Sequence, residues 1–477
     1  MGEITQLKKN SIFYFVSSLS RLVANSLVFI IIARIFGAED FGSFSTAHTL
    51  ATLFLLLADF GFDVLITTEI ARNRSDIESI VGKYFPIKFV FTFGAAILLA
   101  FTNLILPISD KSKTLVLIFT FYMVFTSLLN LLFAFFRGME KFKYEAIISM
   151  VSNFILLIMI TVLAYIQLKL SLIAVSMVLV KLISLIAAYW IYKSNLKSVN
   201  YNFNFFKLKT EFRKVMIFGC HLLFGTLYFQ IDSILILTIR GEFEAGLYQA
   251  VFKLMVIALI IPDVMVGALI PTLTRLFSNF DIKWENISRV LFKVLYLSGL
   301  LVGFIFFSFS EFILTTIYNK PEYLQSAFLL RVAGIIVFIR YFFETFAASL
   351  TVQDKQIHRT ITVIIVSIIS VSLNLILLPK YGIEASILIS LFTNLIAGIF
   401  YSIFVHKFFI KWVLDPKFIF PIFIIIILSL PFFGNIFVSN YIHIFAVSLV
   451  FIIATTFFNF SAKERQLLFK MKENIVT

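Results

Sequence analysis

The chain is poor in the residues that most often carry chemistry. It has one cysteine, three tryptophans and five histidines in 477 residues. A lone Cys220 excludes an intrachain disulfide and a cysteine-based metal cluster. His48, His221, His358, His406 and His443 are scattered and show no metal-ligand spacing, so no metal site is expected. The sequence holds no GxxxxGK(S/T), no glycine-rich dinucleotide turn and no HExxH. An ATP-driven pump would need its nucleotide engine on another chain. No cofactor and no catalytic residues are expected, and the chain does not read as an enzyme. Charge is also scarce: 14% of residues are charged, against roughly 25% in soluble globular chains.

Apolar side chains take the place of charge. The sequence is 60% hydrophobic, with 61 phenylalanines and a mean hydropathy of +1.01. A water-soluble fold of this length lacks the polar surface to cover them. The solvent must be largely a lipid bilayer, and the fold class is an all-α polytopic membrane protein. A bilayer core of roughly 30 Å needs about 20 apolar residues per helix. Fourteen transmembrane segments meet that rule, at about 12–36, 43–68, 84–107, 114–136, 145–166, 170–192, 214–239, 247–274, 288–317, 326–352, 360–378, 382–406, 418–436 and 441–460. Lys8 and Lys9 precede the first run as in a signal peptide, but the run is too long, and we read it as the first spanning helix.

The formal net charge is +14. In a soluble chain this would suggest nucleic acid. Here the basic residues sit in gaps between apolar runs, so they report orientation, and no nucleic-acid partner is expected. With a cytoplasmic N-terminus, 28 of the 40 Lys and Arg fall on the inner side, among them Lys83, Lys88 and Lys293, and 7 on the outer side. Both termini are therefore expected in the cytoplasm.

A repeat divides the chain. Gly37, Gly42, Phe44 and Asp59 recur 204 positions later as Gly241, Gly246, Tyr248 and Asp263. The short loops Phe136–Lys141 and Val352–Lys355 echo each other after the fourth and tenth spans. This pattern predicts two pseudo-symmetric six-helix bundles plus two C-terminal helices. The domains are 1–192, an N-terminal lobe; 193–213, a basic cytoplasmic linker; 214–410, a C-terminal lobe; and 411–477, two extra helices and a tail.

Charges within spans cost at least about 2.5–3.5 kcal/mol at mid-bilayer, so they face protein or a wet cavity. Arg21 lies about ten residues into the first span, with Asn25 one turn further on the same face. Gln249 and Lys253 share a face in the eighth span. These four are the candidate substrate-binding residues; for Arg21 a plain helix–helix contact is the alternative, and for Lys253 snorkelling to the surface. Asp232, Asp59, Asp263, Arg340 and Glu344 are candidates for coupling or gating. Asp232 reads as a carboxylate that could carry H⁺ or Na⁺, or sit in a static ion pair. Arg340 and Glu344 form a plausible intrahelical pair. Asp63, Lys181 and Arg331 also fall within spans. Pro262 and Pro271 are expected to interrupt the eighth helix and make it the candidate moving element, with fixed bends that serve packing only as the alternative.

Four stretches carry a family resemblance: Ser20-Arg21 with Ala33–Gly37 and Asp40–Gly42; Ala58–Gly61 with Glu69–Arg72; Gln230–Asp232 through Tyr248 to Leu273; and Leu378–Ala385. The chain resembles the Wzx-type O-antigen and polysaccharide repeat-unit flippases of the multidrug, oligosaccharidyl-lipid and polysaccharide (MOP) exporter superfamily. The resemblance implies a V-shaped pair of six-helix bundles around a basic cavity, in a prokaryotic plasma membrane. It implies alternating-access transfer of an oligosaccharide on an undecaprenyl-diphosphate-type lipid to the outer leaflet, within lipopolysaccharide or related polysaccharide biosynthesis. Polysaccharide polymerase machinery is then a further partner, and Na⁺ or H⁺ the coupling ion. Arg21 and Lys253 match the family's basic residues on the first and eighth helices and would hold the diphosphate. With few tryptophans, Tyr228, Tyr248 and Tyr341 would stack on sugar. Glu384 departs from the family's usual glycine-alanine step. The alternative is a cation-coupled multidrug or organic-cation antiporter of the same superfamily.

Overall fold

The computed structural model describes residues 2–73, 77–195, 230–279, 283–405, 420–424, 440–461 and 464. All regular structure among them is helical, as the need to satisfy every backbone polar group within lipid favours. Nine helical stretches among the described residues are long and apolar enough to cross a membrane. The expected count was fourteen. Most of the segments at 214–239 and 418–436, the linker beyond Asn195, Cys220 and Tyr228 lie outside the described residues. The segments at 360–378 and 382–406 form one helix broken by a kink.

Contacts divide the chain into two compact units, Met1–Ala250 and Val251–Thr477. The first unit holds α1 (Gly2–Phe36), α2 (Ala38–Asp59), α3 (Phe62–Arg72), α4 (Ile77–Ile105), α5 (Asp110–Gly138), α6 (Phe142–Tyr165) and α7 (Leu170–Asn195). It also holds α8, which covers residues 230–240, and the opening turns of α9 (Glu242–Ser278).

Glycines set the joints of this unit. Gly37 (φ 87°) separates α1 from α2, and Gly241 (φ 86°) separates α8 from α9. Both occupy the left-handed side of backbone space, which only glycine reaches at little cost. The repeat seen in the sequence is thus a repeat of backbone conformation. The expected second span is two helices. Phe60 (φ 30°) and Gly61 (φ 81°) end α2 and start α3, which leaves Asp59 as the last residue of α2.

The unit's core is aromatic. Phe29 from α1, Phe44 and His48 from α2, and Phe119 and Tyr122 from α5 pack edge to face. His48 is therefore a core residue. Thr52 donates a hydrogen bond to its carbonyl oxygen at 2.8 Å.

The second unit holds the rest of α9, α10 (Lys283–Ser308), α11 (Ser310–Tyr318), a 3₁₀ turn (Pro321–Ser326), α12 (Ala327–Val352), α13 (Gln356–Phe404) and α14 (Asn440–Asn459). Helices α10 and α12 approach closely at Gly303 and Gly334, where a Cβ on either would press on the other's carbonyl oxygen. Small residues permit such approach where lipid supplies no hydrophobic drive. In α13, Pro379 and Gly382 (φ 66°) produce the kink. Ser386 donates to Asn374 Oδ1 across it at 2.6 Å.

Pro262 does not interrupt α9, contrary to expectation; the helix is continuous from Glu242 to Ser278. Proline lacks the N–H that would have bonded the Ala258 carbonyl four residues earlier. Tyr341 on α12 replaces that donor, with its hydroxyl 2.5 Å from Ala258 O. Near the C-terminus, Lys293 on α10 binds Glu464 at 2.8 Å and donates to the Asn459 carbonyl at 2.9 Å. Lys293 was assigned by charge counting to a loop side, but it is buried. Burial pushes the Glu464 carboxyl up, yet the bonds from Lys293 and Ser461 outweigh it and hold the group below the ordinary carboxylate range.

Candidate functional site

Three groups of charged and polar residues in the first unit bear on the candidates. The first surrounds Glu145, near the start of α6, whose side chain is 1% exposed. Arg137, near the end of α5, grips it with Nε at 2.7 Å and Nη2 at 3.2 Å. Arg21 on α1 approaches the same carboxylate with Nη1 at 3.5 Å. Two guanidiniums thus share one carboxylate. Arg137 makes the tighter, two-pronged contact. Arg21 stays 31% exposed and is the member able to meet an anion. Its neighbour Ser20 accepts a hydrogen bond from Asn153 on α6 at 3.2 Å, which fixes this face of α1. Asn25, one turn further, is half-buried.

The second group neutralises Asp59. Lys88 on α4 has a fully buried side chain, with Nζ 2.5 Å from Asp59 Oδ1 and 2.9 Å from the Ala58 carbonyl oxygen. Ser127 donates to Oδ1 at 2.7 Å and Asn130 to Oδ2 at 2.8 Å. Thr92 completes the group through Ser127. Lys88 was counted above as a loop-side charge; it is instead the counter-ion of a buried carboxylate. Asp59 serves as the junction of α2, α4 and α5. Asp63, the second residue of α3, differs: its Oδ1 is buried and makes no hydrogen bond among the described residues.

The third group lies where the two repeated hairpins meet. Asp232 on α8 is buried and accepts a hydrogen bond from the Tyr248 hydroxyl at 3.2 Å. Gln249 on α9 is buried, with Nε2 3.4 Å from the Thr49 hydroxyl of α2. Its Oε1 has no hydrogen-bond partner among the described residues. Lys181 on α7 stands apart from this third group, with Nζ 5.6 Å from the ring centroid of Tyr122 on α5.

The second unit holds the remaining candidates. Lys253 is half-buried on α9, with Nζ 6.0 Å from the Phe252 ring centroid. Asp263 is exposed on the same helix, just after buried Pro262. Its partner in the repeat, Asp59, is tied into an ion pair, so the matched positions have different surroundings. Arg340 and Glu344 are half-buried, one turn apart on α12. Arg331 binds Glu311 at 2.7 Å at an exposed position. Among the described residues no group of three or more His, Cys, Asp or Glu could hold a metal ion.

Glu145, Arg137, Lys88, Ser127 and Asn130 were not among the candidates. Glu145 opened its apolar segment and Arg137 followed another, so both looked like solvated ends. Arg21 and Glu145 lie 124 residues apart, and no local pattern links them.

Comparison with known proteins places this arrangement in context. The family of polysaccharide biosynthesis proteins matches residues 7–277. No curated protein sequence matches. The fold is similar to the lipid II flippase MurJ in an inward closed conformation, at a TM-score of 0.70 and 17% identity over 96% of this chain and 99% of that one. It is similar to an inward-facing multidrug resistance MATE family transporter of the MOP superfamily, at a TM-score of 0.69 and 10% identity over 85% of this chain and 99% of that one. A MOP superfamily transporter from Pyrococcus furiosus, whose binding pocket is described as reversed in polarity, matches at a TM-score of 0.58 and 12% identity over 86% of this chain and 96% of that one.

Proposed function

The chain belongs to the polysaccharide biosynthesis protein family, and from that premise we propose that it is a transporter of the MOP superfamily that flips a lipid-linked oligosaccharide between the leaflets of its membrane. Arg21 is the observation that carries this reading. It lies inside the matched region, is partly exposed, and shares the carboxylate of Glu145 with Arg137, which makes the tighter contact. A fixed cation in a low-dielectric wall attracts an anionic head group such as a diphosphate. Lys253 on the second unit is the other cation in this proposal, with Asn25 and Gln249 as polar neighbours on their helices. Transfer by alternating access between two lobes, an undecaprenyl-type carrier and polymerase machinery as partner belong to the same proposal.

The test is export of the surface polysaccharide in a strain that depends on this gene. Arg21→Ala and Lys253→Ala should each reduce export at least about tenfold while the protein remains inserted. Normal export by both variants would remove these residues from the mechanism.

A second reading, cation-coupled efflux of organic cations, rests on the multidrug transporters among the solved structures of similar fold. Those likenesses speak for it more than for the first reading. Asp63, with its unbonded buried oxygen, is the residue of this chain that favours it. Drug resistance conferred by expression, lost in Asp63→Asn, is its distinguishing result.

A further inference from the structure

The first unit carries a groove that plays no part in the charged groups above. It is a cleft of about 750 Å³ between α4, α5 and α7. Pro86 and Phe89 line it from α4, Leu128 and Leu132 from α5, and Ile186 and Tyr189 from α7. Its volume lies within the roughly 300–1,000 Å³ typical of small-molecule sites, but it offers almost no polar surface to fix a polar ligand. Phe89, Ile186 and Tyr189 are exposed, as are Val90, Phe93 and Ile183 beside them. In a polytopic membrane protein such a face meets hydrocarbon, and the groove opens toward it.

One end of the groove is different in character. Phe85 and Tyr192 stack there at 5.5 Å, and Phe135 meets Tyr192 edge to face at 5.0 Å. These contacts bring the first part of α4 beside the last turns of α7. Lys83 precedes Phe85 by two residues and lies 4.9 Å from the Tyr84 ring centroid. Lys193 follows Tyr192 and is exposed. A hydrocarbon slot therefore ends at aromatic rings, with a lysine within two residues of the terminal ring on each of the two helices. Tyrosines and lysines in this order mark the level of lipid head groups.

We propose that this groove is a binding site for an anionic phospholipid of the surrounding bilayer, with an acyl chain in the cleft and its phosphate at Lys83 and Lys193. Each lysine adds an attraction worth on the order of fivefold in affinity near an anionic lipid surface. The apolar cleft supplies chain binding that does not depend on charge. The groove's lining includes none of the candidate solute-binding residues, so the proposal stands whichever solute the protein carries.

Native mass spectrometry of the full-length protein in detergent tests this, with dioleoyl phosphatidylglycerol, dioleoyl phosphatidylcholine and undecaprenyl phosphate as probes. Phosphatidylglycerol adducts should exceed phosphatidylcholine adducts at least about fivefold. Lys83→Gln with Lys193→Gln should erase that preference. Ile186→Trp, which fills the cleft, should reduce adducts of both phospholipids several-fold. Ile183→Trp, on the neighbouring exposed surface, should leave them unchanged, and the melting temperature of each variant reports folding. Equal retention of the two phospholipids by the wild type would overturn the proposal. So would adducts indifferent to Ile186→Trp in a folded protein, or a stronger hold on undecaprenyl phosphate that survives loss of both lysines.

Discussion

Gly42 on α2 and Gly246 on α9 meet in a reciprocal crossing. A Cβ on Gly42 would fall on the carbonyl of Glu242, and a Cβ on Gly246 would fall on the carbonyl of Ala38. Ala38 and Glu242 are themselves 204 positions apart, as are the two glycines. The contact is thus a local twofold: each hairpin presents the same glycine to the same backbone position of the other. Glu242 adds an anchor by accepting from Ser112 Oγ at 3.1 Å and from the Ser109 N–H at 3.1 Å.

Gly42→Val and Gly246→Val should each destabilise the protein by about 1–3 kcal/mol or more, because backbone atoms cannot yield as side chains do. Gly267→Val is the control, since a Cβ there meets nothing within 4 Å. Thermal unfolding in detergent should show a lowered midpoint for the first two variants and little change for the third.

The Asp59–Lys88 pair predicts a strongly non-additive cycle. Lys88→Met leaves a carboxylate without its counter-ion and should cost about 3–5 kcal/mol. Lys88→Met combined with Asp59→Asn removes both charges and should recover much of that loss. Equal losses in the single and double variants would deny the pair this structural role.

Tyr341→Phe removes one hydroxyl and should cost about 1–3 kcal/mol, since the Ala258 carbonyl then loses the donor that stands in for Pro262. Adding Pro262→Ala restores a backbone N–H at that place. Thermal unfolding of the double variant should therefore show a midpoint closer to wild type than Tyr341→Phe alone.

Glu464 gives a pH dependence. Its carboxyl is held below the ordinary range by Lys293 and Ser461. A depressed carboxylate contributes stability that is present above its unfolded value and lost as pH falls through the folded one. Release of the C-terminal segment should therefore appear only below about pH 4. Limited proteolysis near residue 464 across pH 3–7 would report it, and Glu464→Gln should be cleaved equally across the range.

The sequence disclosed the helices and the repeat because both are periodic. Lipid enforces apolar runs of fixed length, and Gly37, Gly42, Gly241 and Gly246 keep their spacing because the backbone there tolerates no side chain. The charged groups were legible as misplaced charges but not as pairs. Arg21 was found, yet Glu145 was hidden at a segment edge, and Lys88 was taken for a solvated lysine. Pairing across 29 residues, as for Asp59 and Lys88, or across 124, as for Arg21 and Glu145, leaves no local signature. Pro262 misled for a related reason. The rule that proline frees a carbonyl held, but the donor that restores continuity comes from α12, far along the chain.

Transfer of the lipid-linked substrate itself tests the account most directly. Purified protein is reconstituted in sealed vesicles that carry a labelled polyprenyl-diphosphate oligosaccharide. A sugar-modifying enzyme added outside then reports the fraction that has crossed. The account predicts protein-dependent transfer that falls to the protein-free rate in Arg21→Ala and persists in Ile183→Trp. Transfer unchanged by Arg21→Ala would contradict the assigned cation. No transfer with several oligosaccharides, alongside ion-driven uptake of an organic cation, would contradict the central claim and establish the efflux reading in its place.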